Sequence, residues 1–557
     1  AAGGGDDGGG GGPGPDAEAR HASDCRPAHL AQNKFVSLLL DEARRRTSEE
    51  DESMPKAADE TGGERLRYGE EVVSISGAGD PDDPSLVSLR TSLGNALLAR
   101  YVVACDGARS PTRTLLGIPM RGDANLQDLV SVHFRTNPAL SEMIMANEED
   151  RAMLHFVYSG DVVGCLVCHD GGDGEWVLQV PYFPPYQTVE GDFSMERVRE
   201  MVWSGLGARR HKGGANGGDG PDFEVLSVRP WRMSSLVAGS YVGGRQKGDD
   251  DGPGASWKRN VVLAGDAAHA FPPAGGFGMN TGLQDAHALA WRLATLVRGE
   301  SEDGRREGKI EDGPAKRGGD GRDRIRDVLM SDYERERRAV AASNAALSVR
   351  NYERTLDVAR ACYLDADHPS LLVKALESPP LSLLPMETRR GMFRNLMRAA
   401  MAPLRCLEGD APPPLGGHAD RVARNVGRVL GGGGGLPLVF PRHELGFSYG
   451  DGDGDGPDEA GGGAGEDDTA GYVPTLRGGR RLPHVPVELG WTTPGRSLAS
   501  LTGIAAEVRR ELVRRGDAPS GGPPFVLLVV AGGGTSAAAA ADSYARRPLA
   551  RVRVGRY

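Results

Sequence analysis

The sequence predicts an α/β fold, α+β overall, and three observations support this assignment. Two short apolar runs, at residues 97–105 and 260–264, each end close to an acidic residue. In both cases a glycine-containing loop comes next, and then the beginning of a helix. The region between them, 127–240, is rich in strand-like runs. Since parallel strands present the loops at their carboxyl ends to ligands, the pattern predicts a parallel sheet, built from two chain segments, with a second β-sheet inserted between them.

The local patterns then place the individual elements. A helix is expected over residues 27–46, and helices dominate from 281 to about 406. Alternating or apolar runs bounded by turn residues indicate strands. In chain order these are Glu71–Ser76, Leu86–Thr91, Leu97–Cys105, Leu129–Arg135, Ala152–Tyr158, Val162–His169, Glu175–Val180 and Val225–Trp231.

The most informative segment is the loop at 265–282, which reads GDAAHAFPPAGGFGMNTG. Asp266 follows a buried strand, and a carboxylate in that position suits a sugar or ribityl hydroxyl. The glycines leave backbone N–H groups bare and let the chain approach a flat ring system closely. Thr281 and Gln284 have capping-box spacing, so a helix is expected to begin at Asn280 or Thr281.

That helix is expected to face the core with one apolar stripe. The stripe consists of residues at helical spacing. Its members are Leu283, Ala286, Leu289, Ala290, Leu293 and Val297.

A second acidic loop follows the strand predicted at 97–105. Asp106 comes first in this loop. Ser110 followed by Pro111 is typical of the beginning of a helix, and Gly117 is expected to end that helix. Arg109 and Arg113 then lie at the carboxyl end of a strand, where arginines suit a pyrophosphate or a phosphorylated nicotinamide cofactor. Taken alone, Asp-Gly after a strand is as often a simple turn.

The two loops together resemble the motifs of the FAD-dependent aromatic-ring hydroxylases, the family of para-hydroxybenzoate hydroxylase and phenol hydroxylase, and the phenol-type branch in particular. The resemblance implies that Asp266 binds the ribityl chain and that Pro272 and Pro273 lie beside the reactive flavin face. It assigns no catalytic side chain. The cofactor contacts that it implies are Gln32, Asp106, Gly107, Arg109, Ser110, Arg113, Gly265, Asp266, Pro273, Gly275, Gly276, Gly278, Met279 and Asn280.

The resemblance implies an FAD-dependent monooxygenase in which NADPH or NADH reduces the flavin. O2 then adds at flavin C4a, and the resulting hydroperoxide hydroxylates a small phenol-like aromatic substrate. Two alternatives stay open at this point: a hydroxylase or reductase of the ubiquinone or isoprenoid type, and a degenerate, non-catalytic relative that acts as an interaction module. The C-terminal section argues against the former, because residues 445–449 and 477–484 resemble the entry to the thioredoxin-like domain of phenol-type hydroxylases.

Relatives in this family begin with a strand, a GxGxxG loop and a helix that hold the ADP half of FAD, and this chain has no such unit. We therefore expect a Rossmann-like FAD-binding domain that lacks its first βαβ unit, in a chain truncated at both ends. The expected domains are a low-complexity tail (1–26), the first FAD part (27–126), the substrate sheet (127–240), the second FAD part with helices (241–406), a linker (407–470) and a partial thioredoxin-like domain (471–557).

Composition limits the partners. The net charge of −11 argues against nucleic acid. Six cysteines in 557 residues form no disulfide framework and suit the cytoplasm, and no segment is long and apolar enough to span a bilayer. We expect no metal site, and the resemblance allows a homodimer.

Three further patterns are interpreted as structural. Cys165 to His169 matches a haem-attachment pattern, but cysteines three apart on a strand point to opposite faces. The Asp-Gly repeat at 451–456 lacks the glutamate that a calcium loop needs at its twelfth position. For His269 we expect a positioning or hydrogen-bonding role rather than that of a general base. Glycine-rich patches at 1–15, 205–220, 243–254, 302–322, 431–435 and 450–466 are expected to be disordered insertions.

Overall fold

A computed structural model describes residues 29–53, 66–80, 83–144, 152–207, 223–244, 256–307, 319–364, 368–405, 418–431, 487–488 and 553–554. The chain divides into two compact units. The larger unit comprises Ala28–Gly282 and Asn344–Leu436, and the second includes Leu283–Ser343.

The strands form several sheets. They are β1 (Val72–Gly77), β2 (Val87–Thr91), β3 (Ala96–Ala99), β4 (Val102–Ala104), β5 (Met120–Thr136), β6 (Leu154–Tyr158), β7 (Val163–Asp170), β8 (Glu175–Pro181), β9 (Phe223–Ala238), β10 (Val261–Leu263), β11 (His269–Ala270), β12 (Val487–Glu488) and β13 (Arg553–Val554). One sheet has the order β1-β2-β3, β4 pairs with β10, and β12 pairs with β13. A six-stranded sheet has the order β11-β9-β5-β8-β7-β6.

The helices of the described residues are numbered in chain order. They are α1 (Gln32–Ser53), α2 (Pro111–Leu115), α3 (Pro138–Ile144), α4 (Val189–Asp192), α5 (Met195–Gly205), α6 (Phe277–Glu307), α7 (Gly319–Ala361), α8 (His368–Glu377), α9 (Met386–Ala400), α10 (Ala402–Arg405) and α11 (His418–Gly431). Short 3₁₀ turns lie at Ser256–Asn260, Gly265–Ala267 and Leu381–Leu383.

The six-stranded sheet confirms the predicted inserted β-sheet, and each of its pairings is antiparallel. Apolar residues on one of its faces, among them Val132 and Leu178, form a core with Val198 and Val202 of α5. This packing follows from the period-two pattern, which places the apolar side chains of each strand on the same side. The domain limits drawn from the sequence remain predictions.

The strand predicted over Leu97–Cys105 was wrong in one respect, because the chain divides there between two sheets. Its first part, β3, pairs antiparallel with β2, whereas its second part, β4, pairs in parallel with β10. A bend at Arg100 separates them. The helix predicted over 27–46 is also displaced, since α1 begins at Gln32 and ends at Ser53.

The apolar stripe predicted on α6 was wrong. Leu289 alone of the six members is buried, and Leu283 and Val297 are exposed. The buried face instead consists of Asp285, Ala288, Leu289, Arg292 and Leu296. The reason is electrostatic, because both buried charges have partners on α7. Arg337 donates to Asp285 at 2.8 Å, and Arg292 donates to Glu336 at 2.6 Å.

Several predictions fall outside the described residues. These are the thioredoxin-like domain apart from β12 and β13, the Asp-Gly repeat at 451–456 and most of the glycine-rich patches. In the part of the chain that is described, no helix combines the length and the apolar composition required to cross a membrane.

Candidate functional site

The two acidic loops lie at one edge of the same parallel strand pair. β4 and β10 run side by side in the register Val102↔Val261 and Ala104↔Leu263. Asp106 follows the end of β4 and Asp266 follows the end of β10. The carboxyl ends of adjacent parallel strands form the edge at which α/β sheets bind ligands. The predicted convergence of the two segments is therefore present in the fold.

Asp106 organises the start of helix α2. Its Oδ2 accepts a hydrogen bond from the backbone N–H of Thr112 at 2.9 Å, and Ser110 Oγ accepts from the N–H of Arg113 at 2.9 Å. Ser110 is thus the predicted N-cap, with Pro111 in the first turn. Burial raises the pKa of Asp106, but hydrogen bonds from Ser110 and Thr112 outweigh it, and the net pKa is lowered. The carboxylate is therefore ionised at neutral pH.

Arg109 and Arg113 do not act as the predicted pair. Arg113 is buried, and its Nη1 and Nη2 donate to the backbone carbonyls of Ala267 and Ala108, both at 2.8 Å. Because both terminal nitrogens are used within the protein, Arg113 connects the two acidic loops. Arg109 is exposed in the same loop.

The turn at Gly265–Ala267 brings Asp266 to the surface. Gly265 has φ +60°, which favours glycine, and Asp266 is exposed. A methyl group placed on Gly282 would lie 3.5 Å from the Cα of Gly265. The turn after β10 and the first part of α6 therefore approach each other through bare backbone.

The helix after the glycine-rich loop begins earlier than predicted. α6 starts at Phe277, and the hydroxyl of Thr281 donates back to the carbonyl of Phe277 at 2.7 Å. The predicted capping box is therefore wrong, since the threonine lies inside the helix and bonds to the preceding turn. Asn280 likewise donates to the carbonyl of Gly276 at 3.0 Å and is exposed.

The surface at the start of α6 is open and consists largely of bare backbone. A methyl group placed on Gly276 or Gly278 would meet no heavy atom within 4 Å, so the space above their backbone is open. Met279 and Pro273 are exposed around it. Gly275 is different, because its φ is +121° and a methyl group there would lie 2.4 Å from the ring of Phe277. Helix N–H groups with a partly positive end would favour an electron-rich edge at this surface.

The side chains that hold the loop from behind were not among the sequence predictions. In the larger unit, Asn351 Nδ2 donates to the carbonyl of Ala274 at 3.3 Å, and Asn344 Nδ2 donates to Thr281 Oγ1 at 2.8 Å. Both asparagines belong to α7 and are buried, as is Ser348 between them. The one signal that could have found them is their i, i+4, i+7 spacing, which places three small polar residues on one helical face.

Gln32 lies apart from this network. It is exposed at the first turn of α1, and among the described residues no hydrogen bond joins it to either acidic loop. The neighbouring Lys34 forms ion pairs with Asp170 and Asp173, which hold the start of α1 at the turn between β7 and β8. The predicted contact of Gln32 with a cofactor stays a prediction.

The residues interpreted as structural have packing roles. His269 is 1% exposed and stacks on Phe271, with ring centroids 4.7 Å apart. Cys165 is half-buried, and Cys168 lies in the core of the opposite face. Burial raises the pKa of the Cys165 thiol to about 12, so the thiol is protonated at neutral pH.

Comparisons with known proteins bear on this site. A family model described as FAD binding domain matches residues 14–247 and 252–307, which is more than half of the chain. The tetracenomycin A2 monooxygenase-dioxygenase of Streptomyces glaucescens is 30% identical over 296 residues, covering 52% of this chain and 44% of that protein. The 4-methyl-5-nitrocatechol 5-monooxygenase of a Burkholderia species is 29% identical over 322 residues, covering 57% of this chain and 48% of that protein. The chain thus spans less than half the length of these relatives.

Solved structures share the fold. The flavin-dependent monooxygenase PieE, in complex with FAD and substrate, superposes with a TM-score of 0.55 at 19% identity, over 90% of this chain and 71% of that one. Aklavinone-11 hydroxylase, in a ternary complex with FAD and aklavinone, superposes with a TM-score of 0.52 at 21% identity, over 90% of this chain and 69% of that one.

Proposed function

The chain belongs to the FAD binding domain family, whose cofactor is FAD, and from this we propose that it serves an NAD(P)H-consuming monooxygenase that hydroxylates a phenol-like aromatic substrate. The observation that carries the proposal is the convergence of the Asp106 and Asp266 loops at the ends of β4 and β10, beside the open backbone of Gly276 and Gly278. Two relatives of this chain are named as monooxygenases, which supports the same reaction class.

The polar residues of this edge suit the hydroxyl and phosphate groups of FAD. The exposed carboxylate of Asp266 can accept hydrogen bonds from ribityl hydroxyls, and Asp106 can do so beside it. Arg109 is the side chain that we assign to the pyrophosphate, because a guanidinium binds phosphate oxygens in a bidentate manner. Arg113 then positions both loops rather than contacting the cofactor.

The glycine-rich loop and the start of α6 suit the flavin ring. The open backbone of Gly276 and Gly278 leaves room for a flat ring, and Met279 and Asn280 lie exposed along its expected edge. Pro273, with no backbone N–H, presents an apolar and dry surface to the ring. When bound, FAD supplies the transfer of electrons from NAD(P)H and the activation of O2, and the protein supplies orientation and the exclusion of water.

Titration of the purified full chain with FAD tests the proposal directly. We expect flavin fluorescence to change on saturable binding, and the loaded protein to oxidise NADPH or NADH faster when a phenol is added, with formation of a hydroxylated product. The variant Asp266→Ala should bind FAD at least 10-fold more weakly, whereas Asp420→Ala, which changes an acidic residue on α11, should not. Failure of the full chain to bind FAD would contradict the proposal. Binding without NAD(P)H oxidation would instead indicate a non-catalytic relative.

A further inference from the structure

The six-stranded sheet has a second face, opposite the one that packs against α5. Residues opposite each other on neighbouring strands share a face, so the pairings Cys165↔Gln179 and Ser131↔Gln179 place one row of three side chains on that side of the sheet. The pairing Leu129↔Trp231 adds the indole of Trp231, because Leu129 and Ser131 point the same way. Gln179, Ser131 and Trp231 are half-buried, whereas the other face is packed against α5.

Hydrogen bonds fix the orientation of Gln179. Its Oε1 accepts from Ser131 Oγ at 2.7 Å and from Trp231 Nε1 at 2.9 Å. An indole nitrogen can only donate, so the atom of Gln179 that faces it must be the oxygen. Both acceptor directions of the oxygen are then used, and the amide NH2 group is left as a donor for a further group.

The glycine-rich loop leads to this part of the sheet. β11 pairs antiparallel with β9 through His269↔Val237 and Ala270↔Leu236. The chain therefore leaves β11 in the direction that leads along β9 towards Trp231.

Helix α7 links the glycine-rich loop to the same face of the sheet. At one point Asn351 holds Ala274 of the loop, and just after the helix Cys362 packs in a cluster with Tyr158 and Val163. Val163 lies two residues before Cys165 on β7 and so shares the face of Gln179. Helix α7 and the residue that follows it thus contact both the loop and the face of the sheet that carries Gln179.

We propose that Gln179 orients the substrate, with its side-chain NH2 group donating a hydrogen bond to an oxygen substituent of the aromatic ring. This rests on the proposed monooxygenase function, and it specifies the substrate as an oxygenated aromatic, a phenol or ring ketone, rather than a bare hydrocarbon. Ser131 and Trp231 are positioning residues, because they act through Gln179. The neighbouring Cys165 is an uncharged thiol, so a neutral donor suits this row.

Binding of three naphthalenes to the full chain by calorimetry tests the proposal. Wild type should bind 2-naphthol and 2-methoxynaphthalene more tightly than naphthalene, and Gln179→Leu should weaken the two oxygenated ligands about 3- to 10-fold, the effect of one hydrogen bond, without weakening naphthalene. Asn95→Leu, which removes an exposed amide that donates to Glu70 in the turn between β2 and β3, is the matched control. Gln179→Glu retains both accepted hydrogen bonds but replaces the NH2 group, and it should lose the preference for 2-methoxynaphthalene.

FAD titration of the same samples separates this inference from the proposed function. In one outcome, wild type prefers the oxygenated ligands, both Gln179 variants remove that preference, and FAD does not bind to any of the samples. The monooxygenase proposal then fails, while the role of Gln179 stands. If FAD binds equally to all variants and Gln179→Leu keeps the full preference for 2-naphthol, the role of Gln179 is overturned. A wild type without any preference overturns it as well. Should Gln179→Leu fail to fold by circular dichroism, Gln179→Glu with 2-methoxynaphthalene decides.

Discussion

Arg113 donates from Nη1 to the backbone carbonyl of Ala267, 154 positions later in the chain, at 2.8 Å. Its other terminal nitrogen bonds to Ala108 in its own loop. One buried guanidinium therefore sets the separation of the two loops that carry Asp106 and Asp266. Arg113 therefore has a positioning role, whereas we assign ligand binding to Arg109 in the same loop. Variants of the two arginines can test these two roles separately.

We expect Arg113→Ala to lower the free energy of unfolding by about 2–3 kcal/mol, because a buried charged donor is lost and two carbonyls are left without it. Urea denaturation measures this. Arg109→Ala, at an exposed position in the same loop, should change stability by less than about 0.5 kcal/mol and should weaken FAD binding. Equal losses of stability in the two variants would contradict the positioning role of Arg113.

Gly278→Leu should separate folding from cofactor binding. A side chain at this position meets open space in the protein, so stability should hold or rise by up to about 1 kcal/mol from improved helix propensity. The leucine would occupy the space that we assign to the flavin, and FAD affinity should fall at least 10-fold. Gly427→Leu on α11 also enters open space and is the control. Unchanged FAD affinity in Gly278→Leu would place the flavin elsewhere.

Local sequence patterns predicted the parts of the fold that local physics determines. Ser110, Pro111 and Gly117 delimit α2 as expected, since an N-cap, a first-turn proline and a glycine with φ +68° act within one helix. The strands of the inserted sheet follow from alternation. The meeting of the Asp106 and Asp266 loops was predictable as well, because both follow buried parallel strands.

Partners distant in sequence explain what local patterns could not reveal. The buried face of α6 carries Asp285 and Arg292, which an apolar pattern assigns to solvent, because their partners lie more than 40 positions later on α7. Arg113 has the same character, since its partner Ala267 follows another strand. The division of the run 97–105 between two sheets depends on which strands are available for pairing, and no residue within the run records that.

The carboxylate of Asp106 should make the stability of the loop depend on pH. Its pKa in the folded protein is lowered, so it contributes stability above the unfolded pKa of about 3.9 and loses that contribution as the pH falls through the folded value. Asp106→Asn should therefore be less stable than wild type at pH 7, and the difference should shrink below about pH 4. Urea denaturation at pH 7, 5, 4 and 3 measures it. A difference that stays constant with pH would contradict the assignment.

The pair formed by Arg337 and Asp285 should behave as a buried ion pair. Both side chains are fully buried, Arg337 Nε donates to Asp285 at 2.8 Å, and its Nη2 donates to Gln284 at 3.0 Å. Removing either partner leaves a charge without compensation, so Arg337→Met or Asp285→Leu should cost about 3–5 kcal/mol, and the double variant should cost much less than the sum.

Arg335→Met provides the control for this double-mutant cycle. Arg335 lies two positions before Arg337 and forms an exposed ion pair with Asp332. An exposed pair contributes little, so this variant should lose less than about 1 kcal/mol. Urea denaturation of the wild type, the two single variants and the double variant gives the coupling energy between Arg337 and Asp285. Arg335→Met is measured beside them. If Arg337→Met cost no more than Arg335→Met, burial would have failed to strengthen the pair, and the charged face of α6 would need another explanation.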